Sequence, residues 1–288
     1  MIPRLLVVIP GPTAVGKTET CIEIAAHFNA EIFSADSRQF YRELKTGTAV
    51  PADNQLKAVK HHFIHTRSVA DYYNAWQYEL DAIRELDNYF IGHSIAILTG
   101  GSGMYIDAVC NGIDLIPDVD PEIREALNAR LRIEGIESLR FELKRLDPEY
   151  YSQVDLKNSQ RILRALEVCI QTGKAFSSFR TKGKKVRNFS ILKIGLNRER
   201  EELYRRIDLR VDEMFVNGLE KEAHSALKFR EYYALKTVGY RELFDYFDGK
   251  INLPAAKELI KRNTRHFARR QMTWFRKDNS IAWYHPED

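Results

Sequence analysis

The order of apolar runs and amphipathic stretches along the chain predicts a sheet built from strand and helix units. Four short runs rich in β-forming residues are the predicted strands, at residues 5–9, 32–35, 95–98 and 191–196. Helical patterns separate them. Strands that alternate with helices favour a parallel sheet flanked by helices, so we expect an α/β fold. Ligands of such sheets bind at the carboxyl ends of the strands.

The pattern changes to successive helices between residues 111 and 188. Asp120-Pro121 and Asp147-Pro148 each combine an N-cap with Pro at the first helical position. Residues 158–172 show an amphipathic helical pattern, which Gly173 ends as a left-handed cap. We predict a helical insertion domain at residues 111–188 and a core domain made of residues 1–110 and 189–288. Besides the helix at residues 158–172, helices are predicted at residues 198–217, 219–229 and 239–247, and from residue 254 onward.

A complete phosphate-binding loop follows the first predicted strand and consists of Gly11, Pro12, Thr13, Ala14, Val15, Gly16, Lys17 and Thr18. The two glycines let backbone N–H groups converge on phosphate oxygens. Lys17 adds a mobile cation, and Thr18 offers a hydroxyl to Mg²⁺ at the positive end of the next helix. The loop predicts a di- or triphosphate site without identifying the compound.

Composition excludes several classes of protein. The 288 residues are 44% hydrophobic and 29% charged, as in an ordinary globular protein. No stretch approaches the roughly 18 apolar residues of a membrane span. The three cysteines, Cys21, Cys110 and Cys169, are far apart, so neither a zinc site nor a disulfide framework is supported. We expect a cytoplasmic protein.

One basic stretch points to a polyanionic partner although the net charge is only +4. Residues 261–277 contain seven lysines and arginines, among them Arg265 and Arg269, and no carboxylate. A charge run is usually a solvated helix face, but such faces mix signs. Aromatic residues, including Phe267 and Trp274, are interleaved with the cations. This composition favours binding to nucleic acid.

The strand ends indicate which phosphate chemistry fits. An ATPase or GTPase needs a second carboxylate at the end of a buried strand to help hold Mg²⁺. The predicted strand 95–98 ends instead in Thr99-Gly100-Gly101-Ser102. Asp36 is the carboxylate at a strand end. It is either a metal ligand or helix cap, or a general base or substrate anchor, and spacing alone does not decide.

A series of motifs resembles one known family over essentially the whole chain. Beside the phosphate loop these are Asp36-Ser37-Arg38-Gln39 with Tyr41, Gly47-Thr48-Ala49, Gly100-Gly101-Ser102, residues 160–167, Val238-Gly239-Tyr240-Arg241-Glu242 and residues 269–276. They occur in the order found in tRNA dimethylallyltransferases, also called tRNA isopentenyltransferases. The chain lacks the Cys pairs of a zinc-finger tail and is similar to the bacterial type.

The resemblance implies a fold and a reaction. The fold is a nucleotide-kinase-like parallel sheet with a helical insertion. The reaction moves a dimethylallyl group from dimethylallyl diphosphate to N6 of the adenosine immediately 3′ of the tRNA anticodon. The implied catalytic residues are Asp36 as general base, Ser102 beside it, and Lys17 and Arg210 on the leaving diphosphate, with Mg²⁺ near Thr18 as cofactor. Without the resemblance, Arg210 would be interpreted as a solvated helix residue.

The resemblance also implies contacts to the anticodon stem-loop. These fall on Asp36, Ser37, Arg38, Gln39, Ser102, Arg124, Gln160, Arg161, Ile162, Leu163, Arg164, Lys236, Thr237, Val238, Gly239, Tyr240 and Arg241, and we add Arg265 and Arg269 from the basic stretch. Ile162 and Leu163 also belong to an apolar helical stripe, and both interpretations are compatible. We expect a monomer without membrane contact.

Three residues depart from the family pattern. Ser102 stands where the family usually has Thr and is followed by an unusual Gly103, and His65 replaces a common acidic residue. We assign no role to His65.

Two rival functions share the phosphate loop. A small-molecule kinase would use Asp36 to activate a hydroxyl and would consume ATP. A non-catalytic RNA-binding switch would use a nucleotide as a timer, but the missing strand-end carboxylate argues against it.

Overall fold

A parallel sheet organises the larger part of the molecule in a computed structural model, which describes residues 3–180 and 183–288. Six strands of these residues pair in the order β3-β2-β4-β1-β5-β6. Their bounds are β1 Leu5–Pro10, β2 Ile32–Ser34, β3 His61–His62, β4 Ile95–Gly100, β5 Ser190–Leu196 and β6 Ala282–Tyr284. Every pairing is parallel. The predicted α/β class is confirmed.

Strand β1 is central because its residues are apolar on both faces. Val7 lies opposite Ile97 of β4 on one side and Leu192 of β5 on the other. Leu6, Val8 and Ile9 are fully buried. A strand covered by helices on both faces has a continuous apolar run, and this is what residues 5–9 show. The sequence analysis missed β3 and β6, which lie at the two edges of the sheet and are too short to give a pattern.

Helices of the larger unit flank the sheet. Their bounds are α1 Lys17–Phe28, α2 Asp53–Ala58, α3 Ala75–Tyr89, α4 Gly103–Asn111, α9 Arg200–Val216, α10 Leu219–Ser225, α11 Tyr240–Phe247 and α12 Leu253–Phe275. Helix α10 is shorter than the predicted 219–229 and is followed by a separate 3₁₀ turn, Leu227–Phe229. Helix α1 buries Cys21 and Ala25 in the same core as Ile9 and Ile97.

The chain divides into two compact units, one ending at Asn111 and resuming at Val186–Asp288, the other spanning Gly112–Lys185. The second unit contains α5 Pro121–Glu134, α6 Ile136–Leu146, α7 Pro148–Gln153 and α8 Ser159–Thr172. Asp120 and Asp147 cap α5 and α7 through their side chains, and Gly173 ends α8 at φ 67°. These helix ends match the predicted caps. Ile162, Leu163 and Leu166 pack with Leu139 and Leu143 in the core of this unit.

Candidate active site

A cleft of about 520 Å³ lies at the carboxyl ends of the strands in the larger unit. The phosphate loop forms one wall, and the segments that follow β2 and β4 form another. Helices α9 and α12 close a third side with Arg206, Arg210 and Gln271. This is where ligands of open parallel sheets bind.

The phosphate loop is held from outside by arginines of α9 and of the turn before it. Ala14 has a positive φ of 63°, an unusual conformation for a residue with a side chain. Its carbonyl accepts from Arg206 Nε at 2.9 Å, and the carbonyl of Val15 accepts from Arg198 Nε at 2.8 Å. The two guanidinium groups therefore stabilise the strained turn of the loop.

Lys17 lies over its own loop. Its Nζ donates to the carbonyls of Gly11 at 3.0 Å and Pro12 at 2.7 Å. Burial, and after it the neighbouring Arg210, lower the pKa of Lys17 to about 8 against the opposing effect of Asp36. The protein alone therefore stabilises the positive charge of Lys17 poorly, as expected for a group whose charge is balanced by a bound anion.

Arg210 is brought to the loop by α9. Its Nη1 donates to the hydroxyl of Thr13 at 3.3 Å. Burial lowers the pKa of Arg210, and Asp36 is the main charge that raises it. Lys17 and Arg210 both interact electrostatically with Asp36, so the structure brings these three of the four predicted catalytic residues to one place.

Asp36 follows β2 and caps the turn after it. Its Oδ1 accepts from the backbone N–H of Arg38 at 2.9 Å. The next residue, Ser37, donates its N–H to Ser102 Oγ at 3.0 Å, and Ser102 Oγ donates to Ser37 Oγ at 3.1 Å. The hydroxyl of Ser102 therefore ties the segment after β4 to the turn that carries the carboxylate. One oxygen of Asp36 caps the turn and the group also lines the cleft, and its role as a general base or substrate anchor stays a prediction.

Two glycines explain the sequence around Ser102. A Cβ on Gly100 would lie 2.4 Å from the carbonyl oxygen of Ala35, so only glycine lets the two strand ends approach. A Cβ on Gly103 would lie 2.2 Å from the indole of Trp274, whose Nε1 donates to Asp107 at 2.8 Å. The unusual Gly103 therefore leaves the space that the indole of Trp274, a residue of the basic stretch, occupies.

Glu222 of α10 is a site residue that the sequence analysis missed. Its carboxylate accepts from the backbone N–H groups of Lys45 at 3.0 Å, Thr46 at 2.7 Å and Gly47 at 2.9 Å, and from the hydroxyl of Tyr240 at 2.7 Å. Burial and the nearby Glu222 raise the pKa of Tyr240. The group fixes the 45–47 loop at the cleft. No local pattern around residue 222 could have indicated this.

Residues expected at the RNA interface occupy several kinds of position in the larger unit. Lys236 and Arg241 are exposed, and the guanidinium of Arg38 lies 5.1 Å from the ring centre of exposed Tyr233. Ser37, Thr237 and Val238 are half-buried at the cleft, and Gly239 is buried beside it. Gln39 braces the neighbouring loop through the carbonyls of residues 48 and 49. Tyr240 is fully buried, so its side chain stabilises the fold and is not an exposed contact.

In the helical unit, too, some of the residues expected to contact RNA are exposed and others are buried. Gln160 and Arg161 are exposed, but the side chains of Ile162 and Leu163 are buried, so of the two compatible interpretations the core one describes them. Arg124 forms a bidentate pair with the buried Glu167 at 2.8 Å for both contacts. Arg164 contacts the same carboxylate at 3.4 Å.

Helix α12 carries the basic stretch, and α9 supplies the carboxylates that the stretch lacks. Lys261 pairs with Asp212 at 2.9 Å, and Arg265 pairs with Asp208. Arg269 and Arg270 are exposed. Arg265, which was predicted together with Arg269 to bind RNA, is therefore already neutralised in part by Asp208.

The oxygen donors of the cleft fit Mg²⁺ in part. Thr18 lines the cleft together with Asp36, and Mg²⁺ is commonly held by one or two protein oxygens with substrate phosphates and water. A separate group of potential metal ligands, Glu202, His285 and Glu287, surrounds the guanidinium of Arg198, which disfavours a second cation there.

His65, a departure from the family pattern, supports the loop beside Gln39. It has a positive φ of 53°, and its N–H donates to the carbonyl of Gln39 at 2.9 Å. Burial lowers its pKa.

Comparison with known proteins shows the family of the chain. A family model described as IPP transferase matches residues 39–278. The tRNA dimethylallyltransferase 1 of Bacteroides thetaiotaomicron is 53% identical over 285 residues, which are 99% of this chain and 92% of that protein. The chain belongs to the tRNA dimethylallyltransferase family. It is an enzyme that transfers an alkyl group, and the resemblance predicted from the motifs is confirmed.

Solved structures of relatives share the fold of this transferase. The full-length tRNA isopentenylpyrophosphate transferase from Bacillus halodurans is 33% identical with a TM-score of 0.71, covering 98% of this chain and 89% of its own. A eukaryotic dimethylallyltransferase acting on tRNA has a TM-score of 0.79 at 23% identity, covering 94% and 70%. Among the residues described here, no helix is long and apolar enough to cross a membrane.

Proposed function

We propose that this enzyme transfers the dimethylallyl group from dimethylallyl diphosphate to N6 of the adenosine immediately 3′ of a tRNA anticodon and releases diphosphate. The observation that carries the proposal is that the phosphate loop with Lys17, the cation Arg210 and the carboxylate of Asp36 line a single cleft. A diphosphate needs the loop and the cations, and an amine nucleophile needs the carboxylate. The neighbouring β4 offers Thr99, whose hydroxyl donates to the carbonyl of Ile9, in place of a nucleotidase carboxylate.

Asp36 is the proposed general base. The N6 amine of adenine is a weak nucleophile because its lone pair is delocalised into the ring. Its proton must pass to a base as the new N–C bond forms, and Asp36 is the cleft carboxylate that follows a strand and acts electrostatically on both Lys17 and Arg210. The C–O bond of the allylic substrate breaks in the same reaction, and its electron pair leaves with the diphosphate.

Lys17 and Arg210 are proposed to stabilise the leaving group. Negative charge on the bridging oxygen grows as the C–O bond breaks, so cations placed there stabilise the transition state more than the ground state. Lys17 would exchange the carbonyls of Gly11 and Pro12 for phosphate oxygens. Bound Mg²⁺, held by the hydroxyl of Thr18 and by phosphate oxygens, would supply further neutralisation of that charge.

The anticodon stem-loop is the proposed partner of the exposed cations. A buried diphosphate can react only with a base that has left its stack, so we propose that the adenosine is extruded toward Asp36. Exposed Lys236, Arg241 and Arg269 have the charge to bind the RNA backbone, and Arg161 has the same property in the helical unit.

Mass spectrometry tests the proposal directly. An anticodon stem-loop with adenosine at the target position is incubated with the enzyme, Mg²⁺ and dimethylallyl diphosphate, with no ATP present. We expect the RNA to gain one dimethylallyl unit, while a matched stem-loop with guanosine at that position stays unchanged. An unchanged adenosine stem-loop, or a strict need for ATP, would contradict the proposal and favour the kinase or switch.

A further inference from the structure

We propose that Gln271 is a positioning residue of this transferase, which holds the phosphate loop and the segment after β4 in one fixed arrangement. The inference rests on the proposed function and adds a residue to it. Gln271 lies near the end of α12 and is only 6% exposed. The preceding residues on the helix, Arg269 and Arg270, are exposed.

The side-chain amide of Gln271 connects two loops with two hydrogen bonds. Its Oε1 accepts from the backbone N–H of Thr13 at 2.9 Å. Its Nε2 donates to the carbonyl of Gly101 at 2.9 Å. These partners come from different loops and need opposite hydrogen-bonding roles. A primary amide is the side chain that offers an acceptor and a donor side by side at one end.

The residues at both ends of this bridge reach the reacting groups. Thr13 accepts from Arg210 through its hydroxyl, so this end belongs to the diphosphate side of the cleft. Gly101 precedes Ser102, which binds Ser37 next to the carboxylate of Asp36. Gln271 therefore sets the distance between the leaving-group side and the base side.

Glycine at position 101 is fitted to this amide. A Cβ on Gly101 would lie 2.1 Å from Gln271 Nε2, which no side chain tolerates without displacing the glutamine. The second glycine of the Gly100-Gly101-Ser102 motif is thus explained by a residue 170 positions away in the sequence. The close approach indicates that α12 is positioned against the cleft by this contact.

The bridge also connects α12, the helix proposed to bind RNA, to the two loops that carry the proposed catalytic groups. The same helix presents exposed cations and carries the buried amide, so its position fixes both loops. Because an error of about 1 Å between reacting groups can cost on the order of 10² in rate, a missing bridge should lower kcat more than it raises KM.

Three isosteric variants separate this role from simple packing. Gln271→Glu keeps the acceptor for Thr13 but places a carboxylate against the carbonyl of Gly101. Gln271→Met has similar length and neither function. Gln153→Glu, at an exposed position in the helical unit, is the matched control. We expect kcat to fall by about 10- to 100-fold in both Gln271 variants near neutral pH, with smaller changes in KM.

The pH profile of Gln271→Glu is the decisive readout. Burial and the adjacent carbonyl raise the pKa of the introduced carboxyl, while Arg210, which binds Thr13, acts in the opposite direction. Once protonated, the carboxyl can donate to Gly101 while still accepting from Thr13. The rate of this variant relative to wild type should therefore recover about fivefold or more between about pH 8.5 and pH 5.5. The ratio for Gln271→Met should stay flat. A residue that only packs would leave the rate of Gln271→Met near that of wild type at every pH.

Two results would overturn the inference. One is kcat and KM of Gln271→Met within twofold of wild type, and the other is a ratio for Gln271→Glu that does not change with pH. If wild type itself fails to modify any stem-loop, the proposed function fails separately. Calorimetric binding of inorganic diphosphate with Mg²⁺ then decides, because an affinity of Gln271→Met equal to that of Gln153→Glu contradicts positioning, and a loss of about fivefold or more supports it.

Discussion

Raising the pH from 7 to 9 should weaken diphosphate binding because Lys17 loses its proton in the free enzyme. Its pKa is lowered from 10.5 to about 8, chiefly by burial and further by Arg210. Phosphate oxygens favour the ammonium form, so the bound state keeps the proton. Above pH 8 the free enzyme must therefore take up a proton when diphosphate binds, and affinity falls as pH rises.

The magnitude follows from the pKa. With a pKa of about 8, Lys17 carries its proton in about 91% of free molecules at pH 7 and in about 9% at pH 9, so binding that needs the ammonium weakens about tenfold. Asp36 raises the pKa of Lys17. Replacing Asp36 with Asn should therefore move the transition to lower pH.

Calorimetry of Mg²⁺-diphosphate binding measures this effect. Diphosphate titrates in the same range, so Lys17→Met serves as the control in which the ligand's own protonation is unchanged. The affinity ratio of wild type to Lys17→Met should shrink about tenfold between pH 7 and 9. Titrations in buffers of different ionisation enthalpy should show proton uptake by wild type alone. Parallel pH curves for the two proteins would refute the reasoning.

Three further changes test the site. Asp36→Ala should lower the single-turnover rate on a stem-loop by roughly 10² to 10⁴ and leave diphosphate affinity nearly intact, and a rate within threefold of wild type would rule out the base. Glu222→Ala leaves three backbone amides without their acceptor and should lower the free energy of unfolding in urea by about 2–3 kcal/mol, whereas the exposed Glu231→Ala should have little effect. Arg269→Gln should make the salt dependence of tRNA binding shallower by about one unit, and Arg265→Gln should change it less because its guanidinium is already paired; equal slopes for both variants would contradict this.

Much of the candidate active-site cleft was predictable because its chemistry is local in the sequence. The phosphate loop is one continuous segment between a buried strand and a helix, so its function depends on neighbouring residues. Asp36 was located by the same logic, because a residue that directly follows a parallel strand reaches the ligand-binding edge of the sheet. The family resemblance added Arg210, whose helix shows no local sign of a phosphate contact.

The contacts that fix this cleft were decided by tertiary structure alone. Glu222 binds the backbone of Gly47, 175 positions earlier, and Gln271 binds Gly101 across 170 positions. Neither contact follows a helical or strand period, so no window of sequence contains both partners. The basic stretch shows the same limit, since it has no carboxylate of its own and yet Asp208 of α9 neutralises Arg265. Sequence determines which groups a segment carries, and only the packing of distant segments decides which of them remain available to a ligand.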